Sequence, residues 1–487
     1  MATQSISSNG TINFSGLATG IDTSSIVSQL MALERAPERI LTNQKTKMQS
    51  QVSAYNALSS ALTTLQGLMA GMNTPDTFAT KTSAVADSTV AAATASSSAQ
   101  VGNHTLIVTS LARSQTLLSQ SSTNSGYASD TAKNFGTGTI TVTNAADPTH
   151  PLSVNITGTN NSLQGIAAAI NDSGANVTAS VVNDGSGTPY RLAIIGKDTG
   201  TYSVTSGLTG GTYDAPTFAE KVSASQAVFQ LDGIDMTRTT NTVGDALPGL
   251  SLTLQGTTTN PAGTTITIGN DTAAVTAKIN SFVTSYNNVM NLIIQGTAFD
   301  PTTKKAGVLL GDSTIRTVLD TLKTTLSSKV AGATGSFSSL ADIGFNSDAH
   351  TGLLSVDSSK LSNSLNSDFK SVSSLFTQNT GNNGLALNQY GIAEQFNKRI
   401  DFLTHYYSGY SGTGTLNNGV ISTRIKGLND SMTDIDNQIA AMEVRMISME
   451  NNMNARFTAM EQLISNTTAW GNQLFAGLGI STTSSSK

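Results

Sequence analysis

Residues 421–464 read ISTRIKGLNDSMTDIDNQIAAMEVRMISMENNMNARFTAMEQLI and carry the strongest structural signal in the chain. Their apolar residues recur at alternating steps of three and four, with one slip between Met453 and Phe457. This heptad pattern is typical of a helix that packs lengthwise against other helices in a coiled coil. We therefore predict a helical rod on the order of 65 Å long. The seam consists of Ile425, Leu428, Met432, Ile435, Ile439, Met442, Met446, Met449, Met453, Phe457, Met460 and Ile464.

Two other segments have the spacing that such a rod needs in its partners. Residues 275–293 step by four and three between apolar positions, and residues 26–72 are apolar at helical intervals. Asp22 precedes the second segment as an N-cap, and Pro37 removes a backbone donor, so we expect two helical pieces joined near residues 35–38. The three segments together predict an antiparallel bundle that brings the two ends of the chain together.

The middle of the chain has strand character. Between residues 81 and 272, short β-branched or alternating runs are separated by Gly, Ser, Thr and Asn, with one short helix after Ser162. Asp232-Gly233 joins two such runs and predicts a type I′ hairpin. Gly200–Thr212 is interpreted as a loop or junction. Residues 296–420 are mixed: Asp312 caps one helix, and a second is predicted through Leu361, Leu365, Phe369, Val372 and Phe376.

These patterns predict an α+β multidomain fold, with terminal helices forming a coiled-coil-like leg and two β-rich head domains inserted between them. We expect flexible terminal segments at 1–42 and 456–487 and a helical leg at 43–80 and 273–455. The inner β head is expected at 81–130 and 222–272, and the outer β head at 131–221.

The composition excludes several function classes. The 487 residues include no cysteine, which excludes disulfides, thiolate metal sites and cysteine nucleophiles. Charged residues make up 12%, against roughly 25% in ordinary globular proteins, and the formal net charge is −5. We therefore expect no nucleic-acid partner. No apolar stretch approaches the ~18–20 residues needed to span a bilayer, so we expect no membrane insertion, and the opening MATQSISSNG does not have the pattern of a Sec-type signal peptide.

The sequence offers no constellation for catalysis. The four histidines stand alone, no Gly-x-Ser-x-Gly elbow occurs, and Asp232 with Asp235 is better interpreted as a turn residue beside an exposed strand residue. We expect no catalytic residue, no metal and no cofactor. The chain is predicted not to be an enzyme.

The candidate functional residues are instead apolar side chains at the two ends. Six methionines in one rod exceed what gap-filling requires, and their flexibility suits a seam with more than one neighbour. Apolar residues near residues 26–33 and 474–478 have no obvious local partner, as in segments that order on assembly. We predict partner or oligomer contacts at Ile26, Leu30, Leu33, Met442, Met446, Met449, Met453, Phe457, Leu474, Phe475 and Leu478.

Several motifs resemble one known family. The opening Phe14–Thr23 (FSGLATGIDT), the pieces Leu310-Gly311-Asp312 and Leu340–Gly344, and the end Trp470–Leu474 look like the bacterial flagellar filament cap, or hook-associated protein 2, family. Residues 163–192 are also similar to a short module shared with flagellins. Ala18-Thr19-Gly20 stands where many members have Ala-Ser-Gly.

The resemblance implies a non-enzymatic protein of the flagellum. Members assemble as a ring, commonly described as pentameric, at the distal tip of the filament, where they retain exported flagellin and promote its polymerisation. It also implies secretion through the flagellar type III channel, an export chaperone, and contacts with flagellin, the filament end and other copies of the chain. Two alternatives stay open: another axial flagellar protein, such as a hook–filament junction protein or a flagellin, and a tip adhesin that binds mucin or host glycans as a secondary activity.

Overall fold

The computed structural model describes residues 22–333, 335–382, 384–405 and 419–478, together with the short strands β1 (Ser5–Ile6) and β2 (Ile12–Asn13). Part of the predicted N-terminal motif and residues 479–487 lie outside the described residues. The α-helices within the described ranges are α1 (Thr23–Glu34), α2 (Ala36–Ala70), α3 (Pro75–Phe78), α4 (Leu163–Asp172), α5 (Thr272–Thr297), α6 (Ser313–Ser327), α7 (Ser358–Ser367), α8 (Phe369–Thr377), α9 (Ile392–Thr404) and α10 (Val420–Gly477).

Most strands lie in the middle of the chain. They are β3 (Lys81–Val85), β4 (Ala91–Ala95), β5 (Gly102–Ser110), β6 (Thr116–Gln120), β7 (Gly138–Asn144), β8 (Asp147–Ile156), β9 (Val177–Asn183), β10 (Tyr190–Gly196), β11 (Tyr202–Ser206), β12 (Thr217–Val222), β13 (Ala227–Leu231), β14 (Ile234–Arg238), β15 (Thr242–Leu247), β16 (Leu250–Leu254), β17 (Thr264–Asn270), β18 (Phe299–Asp300), β19 (Lys305–Ala306), β20 (Phe345–Ser347) and β21 (Leu354–Val356). Terminal helices around a β-rich middle confirm the predicted α+β fold class.

The chain forms two compact units. One consists of residues 1–74 and 276–487 and is mainly helical, and the other consists of residues 75–275 and is mainly β. The helical unit therefore combines the two ends of the sequence, as the antiparallel bundle prediction requires.

The N-terminal helix breaks where the sequence predicted it. The Asp22 carboxylate accepts a hydrogen bond from the Ser25 amide at 3.0 Å and caps α1. Helix α1 ends at Glu34 and α2 begins at Ala36, with Pro37 in its first turn. Proline is tolerated there because the first amides of a helix have no intrahelical acceptor.

Helix α9 is a central element of the helical unit that the sequence analysis missed. It packs against α2, α6, α8 and α10. Its Phe396 ring is 5.4 Å from the Phe282 ring and 6.4 Å from the Tyr286 ring of α5. Only a short apolar pattern in the sequence could have indicated this helix. It comprises Ile392, Phe396, Ile400 and Leu403, which are all fully buried.

Two other local predictions were wrong. The single helix predicted over 361–376 is divided into α7 and α8, because Asp368 leaves the helix and its carboxylate accepts from the Ser371 amide at 3.0 Å. The segment 200–212, interpreted as a loop, contains β11, whose Tyr202 and Val204 are buried. Glycines lie on both sides of β11, so its short alternation of buried and exposed residues was interpreted as part of a loop.

The β unit contains two separate hydrophobic cores. The antiparallel sheets β12-β6-β10-β9 and β11-β7-β8 share one core with α4, which includes Phe135, Ile170 and Leu192. The sheets β14-β13-β5-β17-β3 and β15-β16-β4 share the other, which includes Phe229 and Leu252. The hairpin prediction is confirmed: β13 pairs with β14, and Asp232 and Gly233 have φ values of 52° and 82°, as a type I′ turn requires.

Candidate assembly surface of the terminal helices

Helix α10 is longer than the predicted rod and pairs with both N-terminal helices. Its 58 residues span about 85 Å, and it packs against α1 and α2. Where α1 lies against α10, three side chains are buried in one small cluster: Val27, Met31 and Met446. Met449, Met453 and Phe457 pack against this cluster and stay partly exposed. The methionine seam therefore contacts α1 within the same chain.

Ion pairs define the antiparallel register of the helices. Both terminal nitrogens of Arg35 bind the Glu443 carboxylate, with an Nη2–Oε2 distance of 3.0 Å. Further along, Lys45 Nζ lies 2.5 Å from Asp436 Oδ1. The Arg35 hydrogen bond lowers the pKa of Glu443 and raises that of Arg35. Residue 35 is thus within side-chain reach of residue 443, and residue 45 of residue 436, so the two helices run antiparallel.

The predicted contact residues divide into two groups. Met446 is buried at 2% exposure, and Met442, Met449, Met453 and Phe457 are partly buried. The other predicted residues face solvent: Ile26 is 37% exposed, Leu30 41%, Leu33 70%, Leu474 68%, Phe475 43% and Leu478 66%. The first group serves at least the pairing within the chain. Contact of either group with a partner stays a prediction.

The structure adds apolar residues that the sequence analysis did not select. On α10, Val444 and Leu463 are 70% and 66% exposed, and Trp470, the chain's single tryptophan, is 75% exposed. Ile447 on α10 and Ile40 on α2 are 53% and 58% exposed. Trp470 lies four residues before the predicted contact residue Leu474, so the sequence could have indicated that it is exposed as well. The exposure of Val444 and Ile447 could not be predicted, because apolar residues of a seam and of the opposite face look alike when the partner helix is unknown.

Two histidines of the β unit lie beside aspartates. His104 Nδ1 lies 2.7 Å from Asp232 Oδ2 at the β13–β14 turn, and His150 lies beside Asp147. Among the described residues, no group of three or more His, Asp and Glu side chains is arranged to hold a metal ion. None of the described helices is long and apolar enough to cross a membrane.

Family models match most of the chain. Residues 19–115 match the N-terminal part of flagellar hook-associated protein 2, and residues 224–469 match its C-terminal part. The residues between the two matches include the first of the two β cores.

Whole-chain comparisons agree with the family models. The flagellar hook-associated protein 2 of Escherichia coli K12 is 30% identical over 382 residues, covering 74% of this chain and 79% of that protein. The A-type flagellar hook-associated protein 2 of Pseudomonas aeruginosa is 29% identical and covers 93% of this chain and 94% of its own. A crystal structure of the D1-D2-D3 domains of the flagellar cap protein FliD from Escherichia coli has a TM-score of 0.53 at 29% identity, covering 77% of this chain and 99% of that one.

Proposed function

The chain belongs to the flagellar hook-associated protein 2 family, and on that premise we propose that it caps the distal end of the flagellar filament. In this role it assembles as a ring, retains exported flagellin and promotes its polymerisation. The observation that carries the proposal is the pair of terminal helices, α1 and α10, which continues beyond its own small core into an apolar surface open to solvent. Such a surface suits a segment that contacts another protein.

The helical unit is proposed as a rigid leg. Its large side chains Tyr55, Phe282, Tyr286 and Phe396 are fully buried, and close packing of this kind resists deformation. The β unit is proposed as the head region, with the domain limits predicted from the sequence. Because β6 pairs with β10, we propose that the outer head also takes in residues 116–120.

The filament-facing part is proposed to be the end of α10. Trp470, Leu474 and Leu478 are each at least 66% exposed. Burying this surface against the filament end would remove apolar area from water at about 25 cal/mol per Å². We propose no chemical step for the protein. An export chaperone, passage through the flagellar type III channel, and a location at the filament tip belong to the same proposal.

A deletion strain tests the capping role. Cells without the gene are expected to release unpolymerised flagellin into the medium, and the full chain is expected to restore filaments and motility. A variant that lacks residues 474–487 is expected to fold but not to restore them. The matched control lacks only residues 481–487. Wild-type motility of the longer deletion would contradict filament contact by this end, and retention of flagellin without the protein would overturn the cap.

Light scattering with negative-stain microscopy of the purified full chain tests the ring. We expect a closed assembly of a few subunits with legs that project from a plate. A monomer at every concentration up to saturation, and no ring on isolated flagella, would overturn ring assembly.

A further inference from the structure

The α1–α2 segment has a second heptad seam on a face that α10 does not cover. Ile26, Leu30, Leu33, Pro37 and Ile40 follow one another at steps of four, three, four and three. The stripe continues across the break at Arg35, and its four aliphatic members are between 37% and 70% exposed. On a helical wheel it lies roughly 110° from the Val27–Met31 stripe that contacts α10. A helix with two apolar seams at this angle is typical of a bundle in which each helix has two neighbours.

Helix α10 also has a second apolar face. Val444 and Ile447 are 70% and 53% exposed and lie on a shallow groove with Ser448, Asn451, Asn452 and Ala455. This face is roughly 160° from the Met446–Met453 seam. Ser448 and Ala455 are small, which favours the close approach of another helix.

The two open faces lie at the same height along the helix pair. Arg35 reaches Glu443 and Lys45 reaches Asp436. At equal rise per residue, these two pairs put Leu33 level with about residues 445–448 and Leu30 level with about residues 448–451. Rotation about an axis parallel to the helices preserves height. It therefore brings Leu30 and Leu33 of one copy to the level of the Val444–Ala455 face of the next.

Charges beside the two faces are complementary. Glu34 on α1 and Arg445 on α10 are exposed, and neither has an ion-pair partner among the described residues. They lie at nearly the same level. Each lies on the flank of its stripe, and antiparallel packing of the two stripes turns both flanks to the same side.

From this match we propose that the occupant of the two faces is a second copy of this chain: the Ile26–Ile40 stripe of one copy packs antiparallel on the Val444–Ala455 face of the next, with Glu34 opposite Arg445. The contact is heterologous, so each copy offers one free face of each kind, and repetition by rotation closes a ring. This inference rests on the proposed capping function and assigns its subunit contact to the leg.

Cysteine cross-linking tests the contact, because the chain has no cysteine of its own. The double variant Leu33→Cys/Val444→Cys, oxidised on flagella isolated from the complemented deletion strain, is expected to give a ladder of linked subunits. The control Leu33→Cys/Leu463→Cys places an equally exposed residue nineteen positions further along α10, about 28 Å away, and is expected to give none. A ladder in both variants or in neither would overturn the contact.

Charge reversal tests the same contact between copies independently. Glu34→Arg and Arg445→Glu are each expected to weaken association of the purified chain about tenfold, and the double reversal to recover most of the loss. Arg39→Glu, on the opposite side of α2, is the matched control and is expected to have no effect. Failure of the double variant to recover would contradict the pairing. Flagella that contain the protein without a ladder would overturn only this contact, whereas flagella that lack the protein would overturn the cap itself.

Discussion

The two ends of the long helix pair differ in how many neighbours they have. Around Tyr55–Met69, α2 packs against α9, and its inward side chains are fully buried. Around Val27–Met31, α1 packs mainly on α10, and only three residues of the cluster are buried. The same spacing of apolar residues therefore gives a closed core at one end and a half-open seam at the other.

This difference separates side chains that stabilise the chain by itself from side chains that a partner could cover. Burial that is complete within one chain stabilises the helical unit without any partner. Apolar area that is exposed to water contributes to stability only when another surface covers it. Substitutions at the closed end and at the open end test this distinction.

The largest effect is expected at the centre of the closed end. Phe396→Ala removes a ring that is 0% exposed and contacts the rings of Phe282 and Tyr286. We expect a loss of ~3–5 kcal/mol in the free energy of unfolding, from lost burial and an unfilled cavity. Urea unfolding of the full chain measures it. Phe402→Ala, on the same helix at 60% exposure, is the control, with a change within about 0.5 kcal/mol. Equal losses would contradict the difference in packing.

A smaller and more local effect is expected at the open end. Met446→Asp places a carboxylate in the Val27–Met31 cluster, whose other members are all apolar. Separation of α1 from α10 is expected to become ~2–4 kcal/mol easier, since a buried unpaired charge is costly. Hydrogen exchange of the α1 amides measures this opening. The control is Ala459→Asp, at an exposed position of α10. An unchanged exchange pattern and melting curve would refute the pairing of these helices.

Acid is expected to weaken the closed end through Asp312, which caps α6 and binds Arg424 at 2.9 Å. Burial alone would raise its pKa, but the hydrogen bond from the Thr314 amide and the Arg424 charge lower it overall. A lowered pKa means that the carboxylate stabilises the fold above its unfolded pKa of roughly 3.9. This contribution is lost as the pH falls through the folded value.

Asp312→Asn tests this contribution. We expect it to cost ~1–3 kcal/mol at pH 7, because Arg424 is partly exposed and screened by solvent. As the pH falls below 5, the free energy of unfolding is expected to decrease less for the variant than for the parent chain. Unfolding curves at several pH values compare the two. Parallel pH dependence would show that Asp312 does not carry the effect.

The smallest effect is expected for the ion pair at the open end. Arg35 and Glu443 have side-chain exposures of 36% and 37%, so water and salt screen their attraction. Glu443→Gln is expected to lower the free energy of unfolding only slightly, and less so at high salt. Thermal unfolding at 0.05 and 0.5 M salt measures it. A loss as large as that of Asp312→Asn would show that the two ends are equally closed.

Local signals in the sequence predicted several features well. Asp22 and Pro37 located the start and break of the N-terminal helices, because capping and the missing proline donor act within one turn. Asp232-Gly233 predicted its turn for a similar reason, since the positive φ angles are a property of the two residues themselves. The heptad steps of residues 421–464 predicted most of α10.

Other features depended on distant contacts. Helix α9 has too few periodic residues to stand out, and its formation depends on packing against α2, α6 and α10. The break between α7 and α8 at Asp368 could not be predicted, because the helical spacing of apolar residues continues across it. Strand β11 is five residues long and acquires its identity from pairing with β7.

The candidate site shows the same division. The order of apolar residues already specifies that α1, α2 and α10 are helices with seams, because helical periodicity is written in the chain. It does not specify which seam is covered. That depends on where α9 ends, on the register that Arg35 and Glu443 hold, and on which faces the fold leaves in water. Met446 and Ile447 are adjacent and both apolar, yet one is 2% exposed and the other 53%, because successive residues on a helix point about 100° apart and only one direction meets a neighbour.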